Sequence, residues 1–349
     1  MKSFHCDNCG MLVFFENDHC EKCGEQLGFH PGPLEMVSEK QWNPQLSSSA
    51  DASTHTCANR EHHVCNWLVA GEPDEPFCQA CRLNETIPDL NVEGNLARWW
   101  QLELAKRRCL YTYLRLRLPL SVRPGEGRAP MKFRFLADSP GAPVMTGHEN
   151  GLITLNIAEA DNDECERRRL KFREPYRTLV GHFRHETGHY YWDRLIADSD
   201  RLPAFRKMFG DETLDYAGAM DRYYQEGPAG DWQQRTITPY ASWHPWEDWA
   251  ETWAHYLHII STMDTAATFG LGLNRGGSGT AKNPTDRGAL DDHDFDKLFN
   301  DWQPLILALN SINREMGLAD LYPFVISGGV VEKLRFVHDV IGAVAVVSG

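Results

Sequence analysis

The chain reads as an α+β protein: a mainly helical domain with a small antiparallel sheet, preceded by a cysteine-rich N-terminal region. Three observations predict this. Two Cys-x2-Cys pairs, Cys6/Cys9 and Cys20/Cys23, open the chain, and Cys57, Cys65, Cys78 and Cys81 follow. Beyond residue 90 the apolar residues recur with helical period over 91–118, 176–196, 245–258, 295–316 and 330–347, while only 131–136 and 152–157 read as strands. One of the helical stretches carries His185-Glu186-Thr187-Gly188-His189, the HExxH pattern.

In order along the chain, the first two cysteine pairs are knuckles, each followed by a glycine (Gly10, Gly24) that lets backbone amides turn toward sulfur. Four thiolates satisfy zinc tetrahedrally and leave no open position, so Cys6, Cys9, Cys20 and Cys23 predict a structural site. The apolar segment 11–15 between them reads as a hairpin strand. Residues 29–56, with Pro31-Gly32-Pro33 and Ser47-Ser48-Ser49, read as linker or irregular wrapping. The second set, Cys57, Cys65, Cys78 and Cys81, predicts another structural zinc. Its first gap is wide, and His55, His62 or His63 could replace a cysteine, giving a Cys3His site. Cys109 and Cys165 stand alone and read as packing residues.

The 91–118 helix has a broad apolar stripe including Leu96, Trp99, Trp100, Leu102, Leu110 and Tyr113, and its basic run Lys106-Arg107-Arg108 reads as a solvated face. Residues 152–157 occupy the place of an edge strand ahead of the HExxH helix, where a substrate backbone could add as a further strand. Arg167-Arg168-Arg169 reads as another solvated face. Shorter helices are expected at 202–209 and 213–225, with a loop at 227–232, and 264–292 is Gly- and Asn-rich without periodicity.

On a helix, His185 and His189 share a face and can offer two imidazoles to one metal, with Glu186 directed at the water in the metal's open position. That is the arrangement of a zinc hydrolase. Gly188 in mid-helix costs roughly 1 kcal/mol against Ala, which predicts close packing there. The third ligand does not follow in the metzincin place, where Trp192 and Leu195 stand. Further on, after Pro245, Glu247, Glu251 and His255 fall four apart on one helical face. A charged solvent face is the plain alternative. Trp243, Trp246, Trp249 and Trp253 argue against a fully solvated helix. A carboxylate here, 58 residues after His189, fits the gluzincin scheme of two His and one Glu. His244, His255 and His258 read as packed or exposed histidines.

On the paired-cysteine start and the segments CNWLV, FCQACRLNETIPDL, FRHETGHYYWDRL and YASWHPWEDWAETWAHYLHI, the chain resembles the zinc-binding metallopeptidases with an N-terminal zinc ribbon, a mostly bacterial family. Its catalytic half is similar to gluzincins of the lethal-factor and Mlc-titration-factor type. The resemblance implies a zinc-ribbon region over 1–90 and a zincin-like metallopeptidase domain over 91–349. It also implies a tyrosine seven residues before the ligand glutamate that stabilises the oxyanion; Tyr240 stands seven before Glu247 and so favours Glu247 as ligand over Glu251. Glu251 then orients a ligating imidazole from behind, with Asp193 a weaker candidate for that task. The expected cofactor is zinc, one catalytic and two structural ions, and the expected reaction is peptide hydrolysis. The competing reading is a zinc-ribbon protein-binding or regulatory module whose metal site is vestigial or regulatory.

The net charge is −14 over 349 residues, and residues 1–90 hold 5 basic against 14 acidic side chains. That balance argues against nucleic acid as a partner. The expected partner is a peptide or protein substrate, recruited by the ribbon. With no apolar leader and no run of eighteen apolar residues, a cytoplasmic protein without a membrane partner is the expectation.

Overall fold

A computed structural model of the protein describes residues 1–43, 45–47, 51, 54–71, 74–120, 128–139, 141–161, 163, 167, 178–271 and 294–347. By contacts the chain forms two compact units, Met1–Arg115 with Pro119–Arg168, and Leu116–Leu118 with Arg169–Gly349.

The first unit starts with three antiparallel two-stranded ribbons: β1 (Phe4–His5) with β2 (Leu12–Val13), β3 (Leu27–His30) with β4 (Glu35–Ser38), and β5 (Thr54–Thr56) with β6 (Leu68–Ala70). The stretch expected to be linker therefore carries most of a hairpin and a further strand. Pro31-Gly32-Pro33 is the turn between β3 and β4. Leu27 and Phe29 bury one side of that hairpin. Helix α1 (Asn95–Arg115) supplies Tyr111 to the aromatic core of these ribbons. Its ring lies 6.4, 5.6 and 6.0 Å from those of Phe4, Phe15 and Phe29, and Phe29 meets Trp67 at 4.9 Å.

A four-stranded sheet completes the unit in the order β7-β8-β10-β9, with β7 (Asn84–Thr86), β8 (Lys132–Leu136), β9 (Gly147–Glu149) and β10 (Leu152–Asn156). It is mixed, not antiparallel as expected. β7–β8 and β8–β10 are parallel, and only β9–β10 is antiparallel. The reason lies in the connection: α1 is the crossover between β7 and β8, and a helical crossover returns the chain in the same direction. Among the described residues β10 is an inner strand, paired with β8 along its length and with β9 at Leu152, Ile153 and Thr154, and the edge strands of the sheet are β7 and β9.

The basic run on α1 is not a solvated face. Lys106 is fully buried, bonded to Glu103 at 2.8 Å and to Asn84, with its ammonium 5.6 Å from the Phe133 and Phe135 ring centres. Arg107 is also buried and donates to the Val64 carbonyl. Only Arg108 lies outside, on Glu16. Leu96 and Trp100, assigned to the apolar stripe, are exposed, while Trp99, Leu102, Leu110 and Tyr113 are core. Cys109 is buried within α1. Cys165, Arg168, Arg169 and most of the 264–292 segment lie outside the described residues.

The second unit is helical among its described residues: α2 (Leu179–Leu195), α3 (Leu202–Phe209), α4 (Tyr216–Glu226), α5 (Trp232–Arg235), α6 (Pro245–Thr268), α7 (Phe295–Glu315) and α8 (Gly328–Val347). α6 is the hub, packing against α2, α3, α7 and α8. Trp249, Trp253, Leu257 and Ile260 line its buried faces. It runs to Thr268, into the stretch that lacks apolar period, because the Ala266 side still packs inward. No helix of the described residues is long and apolar enough to cross a membrane.

Candidate metal centre

α2 begins at Thr178, whose hydroxyl accepts from the Gly181 amide at 3.0 Å. α6 begins at His244, whose Nδ1 accepts from the Trp246 amide at 3.1 Å, with Pro245 in its first turn. Glu247 thus lies in the first turn of α6 and Glu251 in the next. The helices touch where Gly188 meets Ala250. A β-carbon on Gly188 would stand 3.0 Å from Ala250 Cα and 3.3 Å from its carbonyl oxygen. The Trp249 indole N–H donates to the Gly188 carbonyl at 2.9 Å, closing the same contact.

That approach brings His185, His189 and Glu247 together, with one ligand atom of each within 4.8 Å of the others. His185 Nε2 is 3.0 Å from Glu247 Oε2, and His189 Nε2 is 3.4 Å from Glu247 Oε1. Two imidazole nitrogens converging on a buried carboxylate form a donor set that fits zinc. Behind them, His185 Nδ1 meets Glu251 Oε1 at 2.7 Å, and the Thr238 hydroxyl donates to Glu251 Oε2 at 2.7 Å. With Nδ1–H donated to Glu251, the Nε2 lone pair of His185 faces the ligand cluster.

Sequence reasoning missed two of these partners, Thr238 and Tyr216. The Tyr216 hydroxyl, from α4, donates to Glu247 Oε1 at 2.8 Å. Tyr240 lies in a short turn ahead of α6 with its ring 5.8 Å from that of His185. Trp246 covers His189 at 4.5 Å between ring centres, and Trp243 lies 4.6 Å from Tyr216. Asp193 is half-buried one turn beyond His189. His244 is a helix cap, His255 Nδ1 bonds the Tyr322 hydroxyl at 2.6 Å, and His258 Nδ1 bonds Arg184 at 2.6 Å. These three are outside the ligand group.

Burial works against a charge on Glu247, but His189 and the hydrogen bonds of His185 and His189 outweigh it and hold the carboxyl well below its usual range. Glu186, also buried, goes the other way. Desolvation raises it, and the two histidines only partly offset that. Burial, followed by the Glu247 charge, pushes the Tyr240 hydroxyl well up, so it remains a proton donor at neutral pH.

The eight cysteines form two further groups, Cys6/Cys9/Cys20/Cys23 and Cys57/Cys65/Cys78/Cys81. In the first, Cys6 and Cys23 sulfurs are 3.7 Å apart and Cys9 and Cys20 sulfurs 3.6 Å apart. Gly10 and Gly24 hold φ of +71° and +73°, as such knuckles need. In the second, Cys65 and Cys78 sulfurs are 3.6 Å apart and the Cys78 amide donates to Cys57 sulfur at 3.4 Å. Among the described residues the second gathers four sulfurs and no imidazole. His55 Nε2 bonds the Glu75 carbonyl at 2.9 Å, the His62 ring lies 5.8 Å from Trp99, and His63 faces Asp18.

Residues 95–340 match the family described as "Putative zinc-binding metallo-peptidase", and residues 3–92 match a zinc-ribbon domain family. The chain is similar along its whole length to proteins of Mycobacterium bovis and Mycobacterium tuberculosis that carry the name uncharacterized protein. Each is 44% identical over 347 residues, covering 99% of this chain and 96% of the relative. No solved structure matches the chain.

Proposed function

The chain belongs to the zinc-binding metallo-peptidase family, and from that premise we propose that it hydrolyses peptide bonds as a gluzincin, with His185, His189 and Glu247 holding the catalytic zinc. The observation that carries this reading is the convergence of those three donors within 4.8 Å, with the rear nitrogen of His185 tied to Glu251 at 2.7 Å. Zinc held there supplies a Lewis acid that polarises a carbonyl and makes water more acidic. Glu186 takes the proton of the attacking water and returns it to the departing amine; its raised proton affinity suits a base that must hold and then release. The Tyr240 hydroxyl donates to the carbonyl oxygen as negative charge develops. Glu251 orients His185, and Tyr216 holds Glu247 by one oxygen so that the other is presented consistently. Two further zinc ions occupy the four-cysteine groups and are structural. The substrate is a peptide or protein, brought in by the acidic ribbon.

The test is Glu186→Gln, which keeps shape and removes the base. It should retain the zinc content and stability of the parent while hydrolysis of a pool of unfolded peptides falls by about 10²–10⁴-fold. A variant that cleaves as fast as the parent overturns the mechanism. A parent that holds zinc at His185 and His189 yet cleaves nothing favours the regulatory module instead.

A further inference from the structure

The two four-cysteine groups differ in their access to water. In the first, Cys23 is exposed and Cys9 half-buried, and the Asn8 amide donates to Cys23 sulfur at 3.6 Å. In the second, all four cysteines are buried. Four thiolates around one zinc ion carry a net charge of −2, and burying that charge costs free energy unless a cation or N–H donors stand beside it. Water can supply this at the first site. At the second, the protein must.

A buried cation stands near this site on α1, beyond the residues that match the zinc-ribbon family. Arg107, on α1, is 3% exposed and donates to the carbonyl of Val64, the residue before Cys65. Its Nε–H is buried without an acceptor among the described residues. Its neighbour Lys106 is matched by Glu103 at 2.8 Å and so has no charge to spare. The Val64 carbonyl that Arg107 holds belongs to the peptide joining Val64 to Cys65, so the guanidinium lies against the backbone of one of the four clustered cysteines.

We infer that Arg107 is the buried counter-charge of the Cys57/Cys65/Cys78/Cys81 site, so that this site holds its metal firmly only with α1 in place. The zinc-ribbon match ends at residue 92, fifteen positions before the arginine. The ribbon is thus incomplete as an electrostatic unit, and α1 is part of its second metal site. The Glu103–Lys106–Asn84 cluster on the next turn ties the same helix to β7, which starts three residues after Cys81. Metal, helix and sheet are one construction.

The experiment uses the full chain, with Arg107→Met, Arg107→Lys and, as a control, Arg108→Met, whose native side chain lies outside on Glu16. Zinc per chain is counted by native mass spectrometry, and release from the thiolate sites is timed with a chelator as pH is lowered. Arg107→Met should weaken one thiolate site by about 10–100-fold, as loss of a group supporting metal ligands does, and should release that zinc at higher pH, because protons then compete better for the thiolates. Arg107→Lys keeps the charge and should recover much of the loss, which a purely packing role would not allow. Arg108→Met should match the parent. Parent-like zinc retention in Arg107→Met overturns the inference. So does equal loss in the Met and Lys variants, or a parent with no zinc at the Cys57 site.

Discussion

At the scale of the residue, the site divides into parts that short-range spacing reveals and parts that it cannot. His185 and His189 are legible because a four-residue gap on a helix means a shared face, and Glu251 because it repeats Glu247 one turn on. Tyr216 and Thr238 were not legible. Each reaches its carboxylate from another element, 31 and 13 residues away in sequence, with no periodic signal to connect them. The two tyrosines have separable tasks on the proposed reading. Tyr216 is committed to Glu247, so Tyr216→Phe should weaken zinc binding by about 10-fold or more with a smaller direct effect on turnover at saturating zinc. Tyr240→Phe should keep the metal and lower kcat by about 10²–10³-fold, as removal of one oxyanion donor does. In the same titrations Glu247→Gln should abolish zinc at this site, whereas Glu251→Gln only loosens it. Isothermal titration of each variant with zinc, alongside peptide hydrolysis, checks all four. If Tyr240→Phe loses the metal and Tyr216→Phe does not, the assignments are reversed.

At the scale of the element, helices were readable from their apolar period and the sheet was not. Strand stretches 131–136 and 152–157 are visible as alternation, but whether they run parallel depends on a crossover helix and a third strand, β7, whose three residues carry no pattern. The Pro-Gly-Pro segment likewise marks a turn, and only the pairing of Leu27–His30 with Glu35–Ser38 makes it a hairpin. The packing of α2 on α6 gives a prediction in which two effects compete. Gly188→Ala gains roughly 1 kcal/mol of helix propensity, yet the new methyl meets Ala250 backbone at 3.0 Å. Backbone cannot rotate away, and overpacking costs about 1–3 kcal/mol, so denaturation should show a net loss, accompanied by weaker zinc binding as the helices spread. A more stable Gly188→Ala protein would mean that the helix contact is slack. α8 is tied to α6 differently, by buried Lys333, which pairs with Asp248 and donates to the Arg235 carbonyl at 2.6 Å. Burial raises Asp248 to about 6, with Lys333 opposing. A carboxyl raised in the fold adds stability that is present below about pH 4 and lost as pH rises through its folded value. Lys333→Met removes the opposing charge. It should therefore cost about 3–5 kcal/mol at pH 8 and clearly less at pH 5, where Asp248 is mostly protonated. Equal losses at the two pH values would sink this account.

At the scale of the whole molecule, the acidic balance and the doubled cysteine set were apparent from composition and spacing. The burial of Lys106 and Arg107 was not, because a basic run on a helix is ordinarily a wet face and nothing local reveals a thiolate group waiting across the fold. The three metal groups should consequently leave the protein in a set order as a chelator is raised. His185, His189 and Glu247 offer zinc only three protein donors, and a site with an open position exchanges readily. That ion should go first. Cys6, Cys9, Cys20 and Cys23 close their site but keep Cys23 exposed, so a chelator can begin there, and this ion should go second. Cys57, Cys65, Cys78 and Cys81 are all buried, with Arg107 bonded to the carbonyl of the residue before Cys65, and should yield last. On the proposed reading each structural zinc contributes on the order of 10 kcal/mol of coupled folding free energy. The first loss should therefore leave far-UV circular dichroism and the melting temperature nearly unchanged. The second and third should each be accompanied by cooperative unfolding of the ribbons, whose small aromatic core of Phe4, Phe15, Phe29, Trp67 and Tyr111 cannot hold unaided. Native mass spectra through the titration should pass from three zinc ions to two, one and none, with thiol-alkylating reagent modifying Cys6, Cys9, Cys20 and Cys23 before the other four. Alkylation of the Cys57 group first, or a chain that never holds more than one zinc, would refute the order and the assignment of the sites together.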